Sequence, residues 1–86
     1  MRRSPRDIMA DLLKIAKGGS KKTRLVYQGN LNFKVITPYL KQLEEKGFLE
    51  YNEETRTYFT TEAGLQFVEA YNRLESFMVE EPVIAE

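Results

Sequence analysis

Residues 30–64 read NLNFKVITPYLKQLEEKGFLEYNEETRTYFTTEAG, and the spacing of their apolar positions decides how the chain folds. Phe33, Ile36, Leu40 and Leu43 recur at steps of 3, 4 and 3, which places them on one face of a helix. Asn32 is suited to cap that helix, and Gly47 stands where a left-handed residue would stop it. Residues 48–51 and 57–60 are rich in aromatic, apolar and β-branched side chains. With the polar run Asn52-Glu53-Glu54-Thr55 between them, they spell a hairpin of two short strands. Thr61 then caps a further helix carrying Leu65, Val68, Tyr71 and Leu74.

Working outward, Ser4-Pro5-Arg6-Asp7 is a helix start, with Ser4 at the cap, Pro5 at the first helical position and Asp7 near the positive dipole end. Ile8, Leu12 and Ile15 share one face of that helix, flanked by Met9, Leu13 and Ala16, and Gly18-Gly19 ends it. A second, short helix begins near Ser20 or Lys22 and runs to Gln28, with Leu25, Val26 and, at the margin, Tyr27 inward. Gly29 supplies the turn. The long helix follows almost at once, and so tight a pair is a helix-turn-helix unit. The fold class expected is α+β, mostly α: a winged helix-turn-helix with a C-terminal dimerisation helix. Residues 1–60 form its core, 61–79 the core-closing and dimerisation helix, and 80–86 a frayed acidic tail.

At 86 residues the chain is one domain, too small for a deep enclosed cleft. It has no cysteine and no histidine, so thiol nucleophiles, disulfides, thiolate zinc sites and the commonest general base are absent. The close carboxylates Asp7/Asp11 and Glu53/Glu54 each have a cap or surface role, and Gly18-Gly19-Ser20 is too short for a phosphate loop and follows a helix. No enzyme, catalytic residue, metal, cofactor or small-molecule ligand is expected. No apolar run approaches the ~20 residues of a membrane span. The basic N-terminus lacks the apolar segment of a signal peptide, so the expected location is cytoplasmic and nucleoid-associated.

The zero net charge conceals a strong polarity. Residues 1–46 hold 11 cations against four carboxylates, and residues 47–86 hold two against nine. Such a chain can offer a positive face to phosphates. With Phe33, Ile36, Leu40 and Leu43 buried, the opposite face of the long helix carries Lys34, Pro38, Lys41 and Glu45, flanked by Val35, Thr37 and Gln42. Asn32, Lys34 and Thr37 are placed to reach base edges or phosphates in a major groove, and Lys41 to reach phosphate. Lys21, Lys22 and Arg24 at the second helix and Arg56 in the hairpin complete the candidate DNA contacts.

Several runs carry a family resemblance: Lys22-Thr23-Arg24-Leu25-Val26-Tyr27, Asn30-Leu31-Asn32-Phe33, Tyr39-Leu40, and Leu43-Glu44-Glu45-Lys46-Gly47-Phe48-Leu49. With residues 58–61, Gly64 and an aromatic-rich last helix, the chain resembles archaeal winged-helix proteins regarded as transcriptional regulators. The likeness spans roughly residues 8–78. It implies double-stranded DNA binding by the helix starting at Asn32 and homodimerisation through the C-terminal helix.

Two features depart from that pattern. Pro38 removes a backbone donor inside the helix and crowds the carbonyl of Lys34, so a kink or a separate first turn is expected. The hairpin tip is acidic where a wing tracking phosphate would offer Lys or Arg, with only Arg56 to compensate. In the last helix, Leu65 and Val68 are expected to close the core. Phe67, Tyr71, Leu74 and Met78 recur at 4, 3 and 4, the spacing of a dimer seam, with Ala70 and Phe77 beside it. The competing expectation is a winged helix that binds another protein and not DNA.

Overall fold

Ser4 starts the first helix through a reciprocal cap: its Oγ accepts from the Asp7 amide at 3.1 Å, and its own amide donates to Asp7 Oδ2 at 3.0 Å. The computed structural model describes residues 3–78, and the acidic tail expected at 80–86 lies outside the described residues. The elements are α1 (Pro5–Ile15), α2 (Lys22–Gly29), α3 (Phe33–Glu45), β1 (Leu49–Asn52), β2 (Thr57–Thr60) and α4 (Glu62–Phe77). This is the expected mostly helical α+β winged helix-turn-helix.

α3 and α4 have side-chain caps of their own, whereas α2 starts at Lys21 without one. Asn32 Oδ1 accepts from the Val35 amide at 2.7 Å, and Thr61 Oγ1 accepts from the Gly64 amide at 3.1 Å. At the end of α3, Gly47 takes φ 79° while the Phe48 amide reaches back to the Leu43 carbonyl and the Gly47 amide to Glu44. This paired closure points the chain directly into β1. α2 closes differently from expectation. Asn30, not Gly29, is its left-handed residue, at φ 57° and ψ 48°. Gly29 is buried and helical, and its missing side chain leaves room for Leu12, whose Cδ2 would stand 3.1 Å from a Cβ there.

α3 runs unbroken from Phe33 to Glu45 with Pro38 inside it, so the separate first turn is not seen. Lys34, whose carbonyl loses the amide of residue 38, and Pro38 itself are both exposed, where water can serve the freed carbonyl.

The antiparallel strands pair Leu49 with Thr60, Glu50 with Phe59, Tyr51 with Tyr58 and Asn52 with Thr57. Ser20 adds a third, one-residue edge by exchanging backbone bonds with Tyr58 at 2.9 and 2.7 Å. This bridge sets the hairpin beside the start of α2. The core is Met9, Leu12, Leu13, Ala16, Leu25, Ile36, Leu40, Leu43 and Leu49. Its face on α1 therefore centres on Met9 and Leu13, and Ile8 and Ile15 lie at the margin. Two expected core residues face outward: Phe33 is 52% exposed and Tyr27 85%.

α4 returns along α1. Thr60 Oγ1 donates to the Leu13 carbonyl at 2.6 Å at one end, and the Tyr71 hydroxyl donates to Asp7 Oδ1 at the other. Phe67 and Val68 pack on the core, and the Phe67 ring lies 5.2 Å from that of Phe48. On α4 only Gly64 is fully buried, and Leu65, Phe67, Val68 and Tyr71 are all half-buried, so the expected division into a 65/68 core face and a 67/71 seam does not hold.

Candidate nucleic-acid interface

Two small clusters hold four of the eight expected DNA contacts, and the Ser20–Tyr58 bridge explains why they are neighbours. Lys21 is the residue preceding α2, and its Nζ donates to the Thr55 carbonyl at the hairpin tip, at 3.0 Å. Arg56 follows in the same turn, exposed and left-handed at φ 55°. Asn52 Oδ1 accepts from the amides of Glu54 and Thr55 at 2.9 and 3.2 Å, which fixes the turn that carries them. The tip is therefore acidic at Glu53 and Glu54 but basic at its root.

The second cluster joins α2 to α3. Lys22 Nζ donates to Thr37 Oγ1 at 3.2 Å and stands 6.0 Å from the centre of the Phe33 ring. Thr37 Oγ1 donates in turn to the Phe33 carbonyl at 2.8 Å. The Thr37 hydrogen is thus committed within the helix, and an incoming group meets its oxygen already held by Lys22. Asn32 is likewise occupied: its oxygen caps α3, and its amide hydrogens are what it can offer to a ligand. Arg24, Lys34 and Lys41 are exposed and make no side-chain hydrogen bond or ion pair among the described residues. They are the cations with most freedom to meet phosphate.

The N-terminal cations behave differently. Arg3 Nη1 pairs with Asp11 Oδ2 at 3.0 Å while its Nη2 donates to the Gly29 carbonyl at 2.7 Å. Arg3 thereby ties α1 to the end of α2. Arg6 lies along a groove with Phe67, Ala70, Tyr71 and Leu74, on the α4 side of the molecule.

Dividing the charge between the two halves of the chain understates the concentration of positive charge. Residues 12–43, the segment from mid-α1 through most of α3, contain seven cations and no carboxylate. No acid on that segment competes with phosphate for Lys22, Arg24, Lys34 or Lys41. This signal was readable by scanning for acid-free windows. The outward turn of Tyr27 and Phe33 had no such signal, since both fall within helical apolar periodicity.

Of the four residues expected at a dimer seam, two are engaged within the chain. Phe67 packs against Phe48 and the core. Tyr71 holds Asp7 and lies beneath Lys14, whose Nζ is 5.5 Å from its ring centre. Hydrogen bonds from Tyr71 and from the Ser4 amide draw the Asp7 carboxyl below its ordinary range. The same bond to Asp7 pushes Tyr71 up to about 12. Leu74 and Met78 remain 45% and 62% exposed, joined by Phe77 at 77%.

Among the described residues, no helix is long and apolar enough to cross a membrane, and no group of three or more His, Cys, Asp or Glu could hold a metal ion.

Comparison with known proteins agrees with this architecture. A family model described as winged helix-turn-helix matches residues 2–79. No curated protein matches the chain. Among solved structures, the chain is similar to that of Sso10a-2, a DNA-binding protein from Sulfolobus solfataricus. The TM-score is 0.80 at 26% identity, covering 90% of this chain and 82% of that one. These matches bear out the archaeal winged-helix likeness read over roughly residues 8–78. From the capped α2–α3 pair, the bridged hairpin and the match over residues 2–79, the chain belongs to the winged helix-turn-helix family.

Proposed function

We propose that this chain is a homodimeric double-stranded DNA-binding protein, a transcriptional regulator or small architectural protein acting at the nucleoid. α3 enters the major groove from Asn32 onward. The observation that carries the reading is the acid-free segment 12–43, which presents Arg24, Lys34 and Lys41 to solvent and Lys22 beside them. Lys34 lies in the first turn of α3, where base edges are reached, and Lys41 lies two turns on, where the backbone passes. Lys21 and Arg56 flank the root of the wing and supply phosphate contacts despite Glu53 and Glu54. That Sso10a-2 is a DNA-binding protein supports the same reading.

The dimer part rests on the end of α4. Leu74, Phe77 and Met78 expose apolar surface beyond Tyr71, adjoining the groove of Phe67, Ala70 and Tyr71. Two such helices crossing would form a two-fold interface and set two copies of α3 to face successive major grooves, ~34 Å apart.

The deciding experiment is binding of a random-sequence duplex across a salt series. Affinity that falls steeply with salt is expected, because each neutralised phosphate releases counterions. Absence of duplex binding at about 0.15 M salt would favour the protein-interaction reading, for which the acidic wing tip is the supporting observation.

A further inference from the structure

Tyr27 and Phe33 are aromatic rings that the fold places in solvent, and no feature of the duplex-binding reading uses them. They stand on opposite sides of the α2–α3 turn and line one groove of about 400 Å³ with Thr23, Val26, Asn30 and Leu31. Val26 and Leu31 are half-buried and give the groove an apolar floor. Thr23 and Asn30 are exposed at its rim and carry a hydroxyl and a carboxamide. Leu25 and Ile36 already fill the core beneath, so neither ring is needed for packing.

We infer that this groove binds one unpaired nucleobase, stacked on the Tyr27 or Phe33 ring, with its flanking phosphates held by Lys22, Arg24 and Lys34. The inference rests on the DNA-binding reading above and adds a second mode of contact to it.

Charge selects the class of occupant. Lys22 Nζ is 6.0 Å from the Phe33 ring centre, Lys34 is the next residue along α3, and Arg24 precedes Tyr27 by one helical turn. The nearest carboxylates in sequence are Asp11 and Glu44, and Asp11 is paired by Arg3, which also donates to the Gly29 and Asn30 carbonyls. A polyanion is therefore favoured over an acid-poor apolar peptide, which would bring hydrophobic area but leave the cations unmatched. Within the polyanions, the aromatic faces decide. A paired base in a duplex hides both faces in the stack and shows only its edges. An unpaired base shows a face, and aromatic side chains stack on it with little regard to sequence. Thr23 and Asn30 can then meet its polar edge. Sites of this kind arise at bulges, mismatches, strand ends and melted segments.

The test uses three labelled probes at about 0.15 M salt: an intact duplex, the same duplex carrying one extrahelical thymine, and an oligothymidine strand. The wild-type protein should bind the bulged duplex and the single strand more tightly than stacking-free contacts allow, with a preference for the bulged over the intact duplex. Tyr27→Ala and Phe33→Ala should each weaken binding to the bulged probe by about tenfold to a hundredfold and remove the preference, and Tyr27→Ala should leave the intact duplex within about twofold. Tyr27→Phe, which keeps the ring, should retain it. No preference in the wild type, or a preference that survives both alanine variants, would overturn the inference while leaving duplex binding standing. Tyr27-dependent binding of the single strand without binding of the intact duplex would uphold it and overturn the duplex reading. Binding of none of the three probes would overturn both.

Discussion

The Tyr71 hydroxyl donates to Asp7 Oδ1 while Oδ2 of the same carboxylate accepts from the Ser4 amide, so one side chain both caps α1 and anchors α4. The last helix is thereby tied to the first turn of α1.

Tyr71→Phe should release that tie without opening a cavity, since only the hydroxyl is lost. The Asp7 carboxyl, held low chiefly by this bond, should rise toward its ordinary value, visible in an NMR titration of the side-chain carboxyl. The wild-type contact also gives stability a pH window. Asp7 is depressed in the folded chain, so its contribution is present above the ordinary 3.8 and is lost as pH falls through the lower folded value. Tyr71 is raised, so its contribution is full below 10.0 and is lost as pH rises toward about 12. Thermal melts across pH should show both flanks in the wild type and a flatter alkaline flank in the variant.

Gly64→Ala should destabilise the fold by about 1–3 kcal/mol. A Cβ there would strike the Phe48 carbonyl oxygen and come within 2.7 Å of the Thr60 methyl, and the backbone atom cannot swing aside. Urea denaturation measures the loss. A melt as stable as wild type would mean that α4 shifts outward at no cost.

Replacing Lys34 and Lys41 together by alanine should weaken duplex binding and lower the slope of log affinity against log salt by about 1–2 units. Both side chains are exposed, so the folded state should keep its stability. An unchanged slope would remove α3 as the DNA-contacting element.

Leu74→Glu tests assembly at the part of α4 that the core does not cover. If two chains meet there, the substitution places a charge in an apolar seam and should shift sedimentation from dimer to monomer. Duplex affinity should drop with it, because the two half-sites are no longer linked. A wild-type chain that sediments as a monomer at tens of micromolar would refute the seam directly.

Pro38→Ala should stabilise α3, by up to about 3 kcal/mol, because it restores the donor facing the Lys34 carbonyl and replaces the poorest helix former by the best. Thermal unfolding reads the gain. A loss of stability would show that the proline ring has packing of value despite its exposure.

The sequence by itself determined the order of elements and where α1, α3 and α4 begin. Ser4, Asn32 and Thr61 each cap through a hydrogen bond three residues ahead, and Gly47 closes α3 within one turn, so these decisions are local and readable without a partner. The hairpin was legible for the same reason, to within one residue of β1. Tertiary structure alone decided which marginal residues face inward. Phe33 and Tyr27 lie on apolar stripes yet stand in solvent, because α2 and α3 each have one neighbour-facing side and Leu25 and Ile36 fill it. Phe67 and Tyr71 lie on a stripe suited to a partner helix yet turn inward, because α4 returns along α1 at an angle set by Gly64 against Phe48 and by Asp7. Asn30 takes the turn expected of Gly29, which stays helical where Leu12 packs against it from α1. Periodicity places residues on a face of a helix; only the position of the neighbouring helices says which face is buried.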